Sequence, residues 1–88
     1  MKTKDGFMLR KVAGKDIVVA VGAASMNFNG LISLNETGSF LWRILEKGTT
    51  YEELAEALMK EYEIDEKTAK EGVDSFLDTA RKENLITE

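Results

Sequence analysis

The feature that most constrains this chain of 88 residues is a change of hydrophobic period at Asn35. Upstream, Ile17 to Val21 is an unbroken and mostly β-branched run, which is typical of a strand covered on both faces. Downstream, the apolar residues from Phe40 to Leu45 recur at helical spacing and define one apolar face. The chain is therefore predicted to be α+β, with its strands before its helices.

The strands are predicted to lie between about residues 7 and 34 and to form a small antiparallel sheet. Phe7 to Val12 is the first strand, the run ending at Val21 is the second, and Leu31 to Leu34 is the last. Ser25 to Phe28 is predicted to pair with this last strand. Asn29-Gly30 lies between the two and accepts the positive φ angles of a tight hairpin turn.

Three helices are predicted over about residues 36–47, 50–62 and 65–84. Each begins at or just after a residue whose side chain can accept a free backbone N–H, and these residues are Asn35, Thr50 and Asp65. The apolar tail Leu85-Ile86 is predicted to fold back onto the core. A small sheet followed by three helices favours a winged helix-turn-helix-like arrangement within one domain, residues 1–88.

The composition of the chain excludes several kinds of catalytic and metal site. The sequence has no cysteine and no histidine, which excludes thiol nucleophiles, iron–sulfur clusters and histidine-based catalytic or metal sites. The glutamates between Glu52 and Glu63 are interpreted as the solvated face of the second helix. We therefore assign no catalytic residue, no metal and no cofactor. No apolar run approaches the roughly 20 residues that cross a bilayer, so a cytoplasmic protein without a membrane partner is expected.

The alternative function is that of a winged-helix transcriptional regulator that binds DNA. The third helix offers Lys67, Lys70, Arg81 and Lys82, but acidic residues are interleaved with them. The formal net charge of −4 also argues against a protein that must displace counterions from phosphates. Nucleic acid is therefore not the expected partner.

An edge strand is the remaining candidate site. If Leu31 to Leu34 lies at the edge of the sheet, its backbone N–H and C=O groups are free to pair with a peptide. Alternation directs Leu31 and Ser33 to one face and Ile32 and Leu34 to the other. A plain capped edge, an edge covered by Phe7 to Val12, and an edge paired with a second copy of the chain all stay open, as do monomer and dimer.

The segment from Leu31 to Ile86 resembles the PqqD-like family. These proteins are the small peptide chaperones of pyrroloquinoline quinone biosynthesis, together with recognition elements for other ribosomally made, modified peptides. The resemblance rests on the order of several features in this sequence: Leu34-Asn35, Glu36-Thr37-Gly38 before an aromatic–aliphatic helix, Gly48-Thr49-Thr50, the helix EELAEAL, Tyr62-Glu63-Ile64-Asp65, and Asn84-Leu85-Ile86. The first thirty residues match only as generic strands, and the Gly-Arg-Tyr-Phe strand of some relatives is missing.

The resemblance implies a peptide chaperone without catalytic activity. It implies that the leader segment of a precursor peptide adds as a strand to the sheet edge and lies against the third helix. A modifying enzyme, expected to be a radical S-adenosylmethionine (radical SAM) protein, then receives the tethered peptide. Carried over by position, the implied peptide-binding residues are Leu31, Ile32, Ser33, Leu34, Lys70, Val73, Asp74, Leu77 and Arg81. Lys70, Asp74 and Arg81 are expected to select charges of the leader.

Overall fold

The computed structural model describes residues 1–22 and 31–88. The predicted strand over residues 25–28 and its Asn-Gly turn lie outside the described residues. Within the described ranges the elements are β1 (Lys2–Thr3), β2 (Phe7–Val12), β3 (Lys15–Ala20), β4 (Ile32–Leu34), α1 (Glu36–Leu45), α2 (Tyr51–Tyr62), α3 (Glu66–Lys82) and β5 (Ile86–Thr87).

The main sheet is antiparallel in the order β2-β3-β4, so β3 is its central strand. A two-residue turn joins β2 to β3. Both of its residues, Ala13 and Gly14, have positive φ angles of 52° and 80°, which suit the right-handed twist of a hairpin. Since β2 pairs with β3, the segment Phe7–Val12 lies on the edge of the sheet opposite β4 and does not cover β4.

One prediction about β3 is wrong. Its β-branched run was expected to be covered on both faces, yet Val18 is fully buried while Ile17 and Val19 are only half-buried. The register explains the difference. Val18 aligns with Ile32 on the face that packs against the helices, whereas Ile17 aligns with the exposed Ser33 on the other face.

The predicted helix starts are confirmed at all three caps. The Asn35 side chain accepts the N–H of Gly38, and that of Asp65 accepts the N–H of Thr68, each at 2.8 Å. Thr50 and Glu53 form a reciprocal capping box. These bonds satisfy backbone donors that each first helical turn leaves unpaired.

The core lies between the inner face of the sheet and the three helices. Trp42 is fully buried at its centre, together with Leu41 and Leu45 of α1. Leu85 and Ile86 are 2% and 7% exposed, which confirms that the apolar tail folds back onto the core. The tail also places β5 beside β1, in an antiparallel pair that joins the two ends of the described chain.

The predicted α+β fold, a small antiparallel sheet followed by three helices, is confirmed. The likeness to a winged helix-turn-helix domain is looser, since the main sheet precedes all three helices. None of the described helices is both long enough and apolar enough to cross a membrane.

Candidate functional site

The strand-to-helix junction fixes the position of β4 on the helical body. A single residue, Asn35, separates the end of β4 at Leu34 from the start of α1 at Glu36. Gly38 lies under this junction, where an added Cβ would come within 3.2 Å of the Asn35 Oδ1 and 3.4 Å of the Leu34 Cβ. A side chain at this position would therefore press on the cap and on the strand. Glycine lets the two elements approach closely.

Beyond this junction, β4 presents one edge that no described strand occupies. Among residues 1–22 and 31–88, only β3 pairs with β4. Ile32 and Leu34 pack against the core, whereas Ser33 is exposed and Leu31, just before the strand, is 70% exposed. In an antiparallel ladder, alternate residues direct their backbone N–H and C=O groups away from the paired neighbour. The outer edge of β4 therefore offers donors and acceptors to an extended chain.

A cavity of about 310 Å³ opens beside this edge, between β4 and α3. The strand, the junction and the first turn of α1 contribute one wall, and α3 contributes the other. Its lining residues are Ser33, Leu34, Asn35, Thr37, Gly38, Gly72, Ser75, Phe76 and Thr79. None of them carries a charge, and the side chains offer hydroxyl and amide groups beside the apolar surfaces of Leu34 and Phe76. Such a lining suits the backbone and the neutral side chains of a peptide.

The wall from α3 is a single helical stripe. Gly72, Ser75, Phe76 and Thr79 are spaced at i, i+3, i+4 and i+7, which places them on one side of the helix. Phe76 is half-buried and also packs against the core, so the wall is continuous with the protein interior. We call this stripe the groove flank of α3.

The five α3 residues predicted from the family resemblance lie elsewhere on the helix. Val73 and Leu77 are 0% and 1% exposed and belong to the core. Lys70, Asp74 and Arg81 lie on the other side of this core stripe, which we call the charged flank. None of the five lines the cavity. Peptide contact at these positions stays a prediction.

The side chains of the charged flank already have partners within the chain. Lys70 lies 3.7 Å from Glu66 one turn earlier. Arg81 donates from Nε and Nη2 to the two carboxylate oxygens of Glu88, at 2.9 Å each, and this hydrogen bonding raises the pKa of Arg81 and lowers that of Glu88. A hydrogen bond to Asp74 likewise raises the pKa of the Tyr51 hydroxyl. The contact of Lys70 lies within α3, whereas Asp74 and Arg81 connect α3 to the start of α2 and to the C-terminal residue.

The groove flank was not predicted, although the composition of α3 carries a signal for it. Helix α3 is rich in Lys, Arg, Asp and Glu, yet its groove flank contains none of them. A neutral stripe on an otherwise charged helix indicates a surface that faces protein or ligand rather than bulk water. Periodicity alone does not distinguish the two flanks, since both border the core stripe of Val73 and Leu77.

A more open depression continues from the same strand end toward the β2–β3 hairpin. It shares residues 33–35 with the cavity and adds Lys11, Lys15 and Arg43 opposite Asp16 and Glu36. Lys11 and Arg43 lie 3.8 and 4.0 Å from Asp16. The surface beyond the hairpin end of β4 is therefore more basic than the groove itself.

The described residues contain no group of three or more acidic, histidine or cysteine side chains that could hold a metal ion. The chemistry that the cavity offers is hydrogen bonding and apolar contact. Among the described residues, a strand edge without a paired neighbour lies beside a neutral helical wall, and this arrangement matches the requirements of strand addition by a peptide.

Comparison with known proteins adds a family and a fold. The family described as coenzyme PQQ synthesis protein D (PqqD) matches residues 17–86, which is most of the chain and includes β4, α3 and the cavity between them. No curated protein gives a significant match.

A solved structure described as TbiB1 in complex with the TbiA(beta) leader peptide has a similar fold. The match has a TM-score of 0.75 with 24% sequence identity, and it covers 97% of this chain and 93% of that chain. At this level of identity the likeness is one of fold, over nearly the full length of both chains.

Proposed function

The chain belongs to the PqqD family, and from this premise we propose that it is a recognition module without catalytic activity for the leader segment of a ribosomally made precursor peptide. The leader adds as a strand to the outer edge of β4, over Leu31, Ile32, Ser33 and Leu34. Its side chains on one face enter the groove beside α3. The module then presents the peptide to a modifying enzyme, which we propose to be a radical SAM protein.

The observation that carries this proposal is the edge of β4 next to a preformed cavity. Each backbone hydrogen bond gained along the edge contributes about 0.5–1.5 kcal/mol net, and apolar contact with Leu34 and Phe76 adds to it. The similar protein TbiB1 was solved in complex with a leader peptide, which supports peptide binding by a domain of this fold.

The short junction between β4 and α1 supports the same function. The Asn35 cap and Gly38 hold β4 in place on the helices. An edge that is already ordered loses less conformational entropy when a peptide pairs with it, and preorganisation of this kind raises affinity. The nearly absent loop is therefore part of the binding site as well as of the fold.

For α3, we propose that the groove flank contacts the leader. The charged flank of Lys70, Asp74 and Arg81 was expected to select leader charges, and this expectation stays a prediction that substitutions can test. DNA binding gains no support from α3, which carries as many acidic as basic residues.

The experiment is an N-methyl scan of the leader from a small precursor encoded beside the gene. Each peptide carries one N-methylated residue, which removes one N–H donor, and its affinity is measured by fluorescence anisotropy. Strand addition predicts a period of two: methylation at alternate positions weakens binding at least tenfold, by roughly the contribution of one hydrogen bond plus a steric clash. The intervening positions serve as matched controls. Losses without this alternation would exclude pairing with the edge of β4.

A further inference from the structure

A second cavity lies behind the groove and is mostly apolar. It has a volume of about 280 Å³ and is lined by Thr37, Leu58, Tyr62, Ile64, Thr68 and Gly72. Thr37 and Gly72 line the first cavity as well. The two cavities are therefore neighbours that meet at these two residues, one at the start of α1 and the other in the middle of α3.

Gly72 has no evident packing reason to be glycine. A Cβ at this position would meet only the Leu58 Cδ1, at 3.5 Å, which is an ordinary van der Waals contact. Its φ angle is not in the left-handed region either, since Gly72 is not among the residues with positive φ. Glycine within a helix is unfavourable relative to alanine. Without a side chain at Gly72, space remains where the linings of the two cavities meet, and we call this space the passage.

The walls of the second cavity are already held in place. The Tyr62 ring packs edge-to-face on Phe40, with ring centroids 5.8 Å apart. Burial and a hydrogen bond to Glu36 raise the pKa of the Tyr62 hydroxyl. The hydroxyl is thus tied to the start of α1 while the ring forms part of the wall. Leu58 is 1% exposed and packs in the core. A rigid apolar pocket of this kind binds a side chain with little ordering cost.

We infer that this pocket, reached past Gly72, receives one large apolar side chain of the bound peptide, and that Gly72 determines this specificity. The inference rests on the proposed function, because it places the peptide along β4. Side chains on the inner face of an added strand point in the same direction as Ile32 and Leu34, toward the core, and Leu34 also lines the cavity beside α3. Where the strand passes the junction, such a side chain meets the opening at Gly72. Leucine, isoleucine or phenylalanine has suitable size and chemistry.

Two substitutions of Gly72 distinguish an effect on peptide binding through the passage from an effect on the stability of the helix. Gly72→Ala narrows the passage and should raise the melting temperature by a few degrees, because alanine is the better helix former. Gly72→Leu fills the passage. Glu71→Leu is the matched control, since it adds the same side chain to the neighbouring exposed position, which lines neither cavity.

The test begins with selection of binders from a phage-displayed library of random peptides on the wild-type protein. We expect the selected peptides to share one large apolar residue. Its replacement by alanine should weaken binding to the wild type about tenfold to hundredfold, the factor that burial of one such side chain supports. For the Gly72→Leu protein, replacing the apolar residue of the peptide by alanine should change the dissociation constant less than about twofold. For the Glu71→Leu protein, this change in the peptide should weaken binding as much as it does for the wild type.

The outcomes separate the two proposals. If the peptides show the alternating N-methyl pattern but no shared apolar anchor, or if Gly72→Leu and Glu71→Leu bind them equally well, the pocket is not a subsite and peptide recognition stands. If no selected peptide shows the alternating pattern, strand addition fails and the subsite fails with it.

Discussion

The two flanks of α3 differ in chemistry although both border the same core stripe. The groove flank is neutral and faces β4 across a cavity. The charged flank carries Lys70, Asp74 and Arg81, whose side chains are engaged with Glu66, Tyr51 and Glu88. The groove flank is the side that we propose for leader binding, whereas the charged side chains have partners within the chain. Charge on a helix surface is therefore not by itself a reason to place a binding site there.

The largest expected effect concerns the stripe between the two flanks. Leu77 is 1% exposed in the core, so Leu77→Ala should lower the free energy of unfolding by about 2–5 kcal/mol through lost burial and a cavity. Urea denaturation measures this change. For a domain of this size it is a large share of the total stability. A loss of peptide affinity without a loss of stability would instead make Leu77 a binding residue, as the family resemblance implied.

The next largest expected effect is a difference in leader affinity between variants of the two flanks, each made with an uncharged side chain. Ser75→Gln places a larger side chain in the groove, and we expect it to weaken leader binding about tenfold while the melting temperature stays nearly unchanged. Lys70→Gln and Asp74→Asn remove charges from the other flank, and they should change affinity less than about twofold. Isothermal titration calorimetry on the three variants gives the comparison. The opposite ranking would assign leader recognition to the charged flank.

The smallest effect concerns the N-terminus of α3, on which both flanks depend. Hydrogen bonds from the Thr68 hydroxyl and backbone N–H lower the pKa of Asp65 below its usual 3.8. A carboxylate with a depressed pKa stabilises the fold above its unfolded pKa, and this contribution is lost as the pH falls through the folded value. Asp65→Asn keeps a capping side chain without the charge. Its melting temperature should lie slightly below that of the wild type at neutral pH.

The pH profile provides the control for that variant. Below the depressed pKa of Asp65, the wild-type carboxyl is protonated, so the two melting curves should converge. A difference that persists unchanged in acid would mean that the charge of Asp65 plays no part at this helix end.

Features that depend on neighbouring residues were predictable from the sequence. The caps at Asn35, Thr50 and Asp65 involve residues three positions apart, and the predicted helix starts agree with the structure. The pairing of β1 with β5 was not predicted, because Lys2 and Thr87 have no local signal that brings them together. Strands of two residues also carry too little pattern to be recognised.

Only the strand side of the candidate site could be predicted from the sequence. The change of period at Asn35 predicted where the last strand ends, and its place at an edge was a conditional expectation. Within the described residues β4 lies at an edge of the main sheet. The helical wall did not follow, since periodicity identifies the core stripe of α3 but not which flank faces the sheet. The neutral run of Gly72, Ser75, Phe76 and Thr79 carries that information through its composition.

An amide chemical-shift titration of the labelled protein with the leader peptide locates the bound peptide on the surface. If the leader adds to β4, we expect shifts over Leu31 to Leu34 and over the groove flank of Gly72, Ser75, Phe76 and Thr79, with little change on the charged flank. Shifts centred on Lys70, Asp74 and Arg81, with the β4 amides unmoved, would contradict this binding mode.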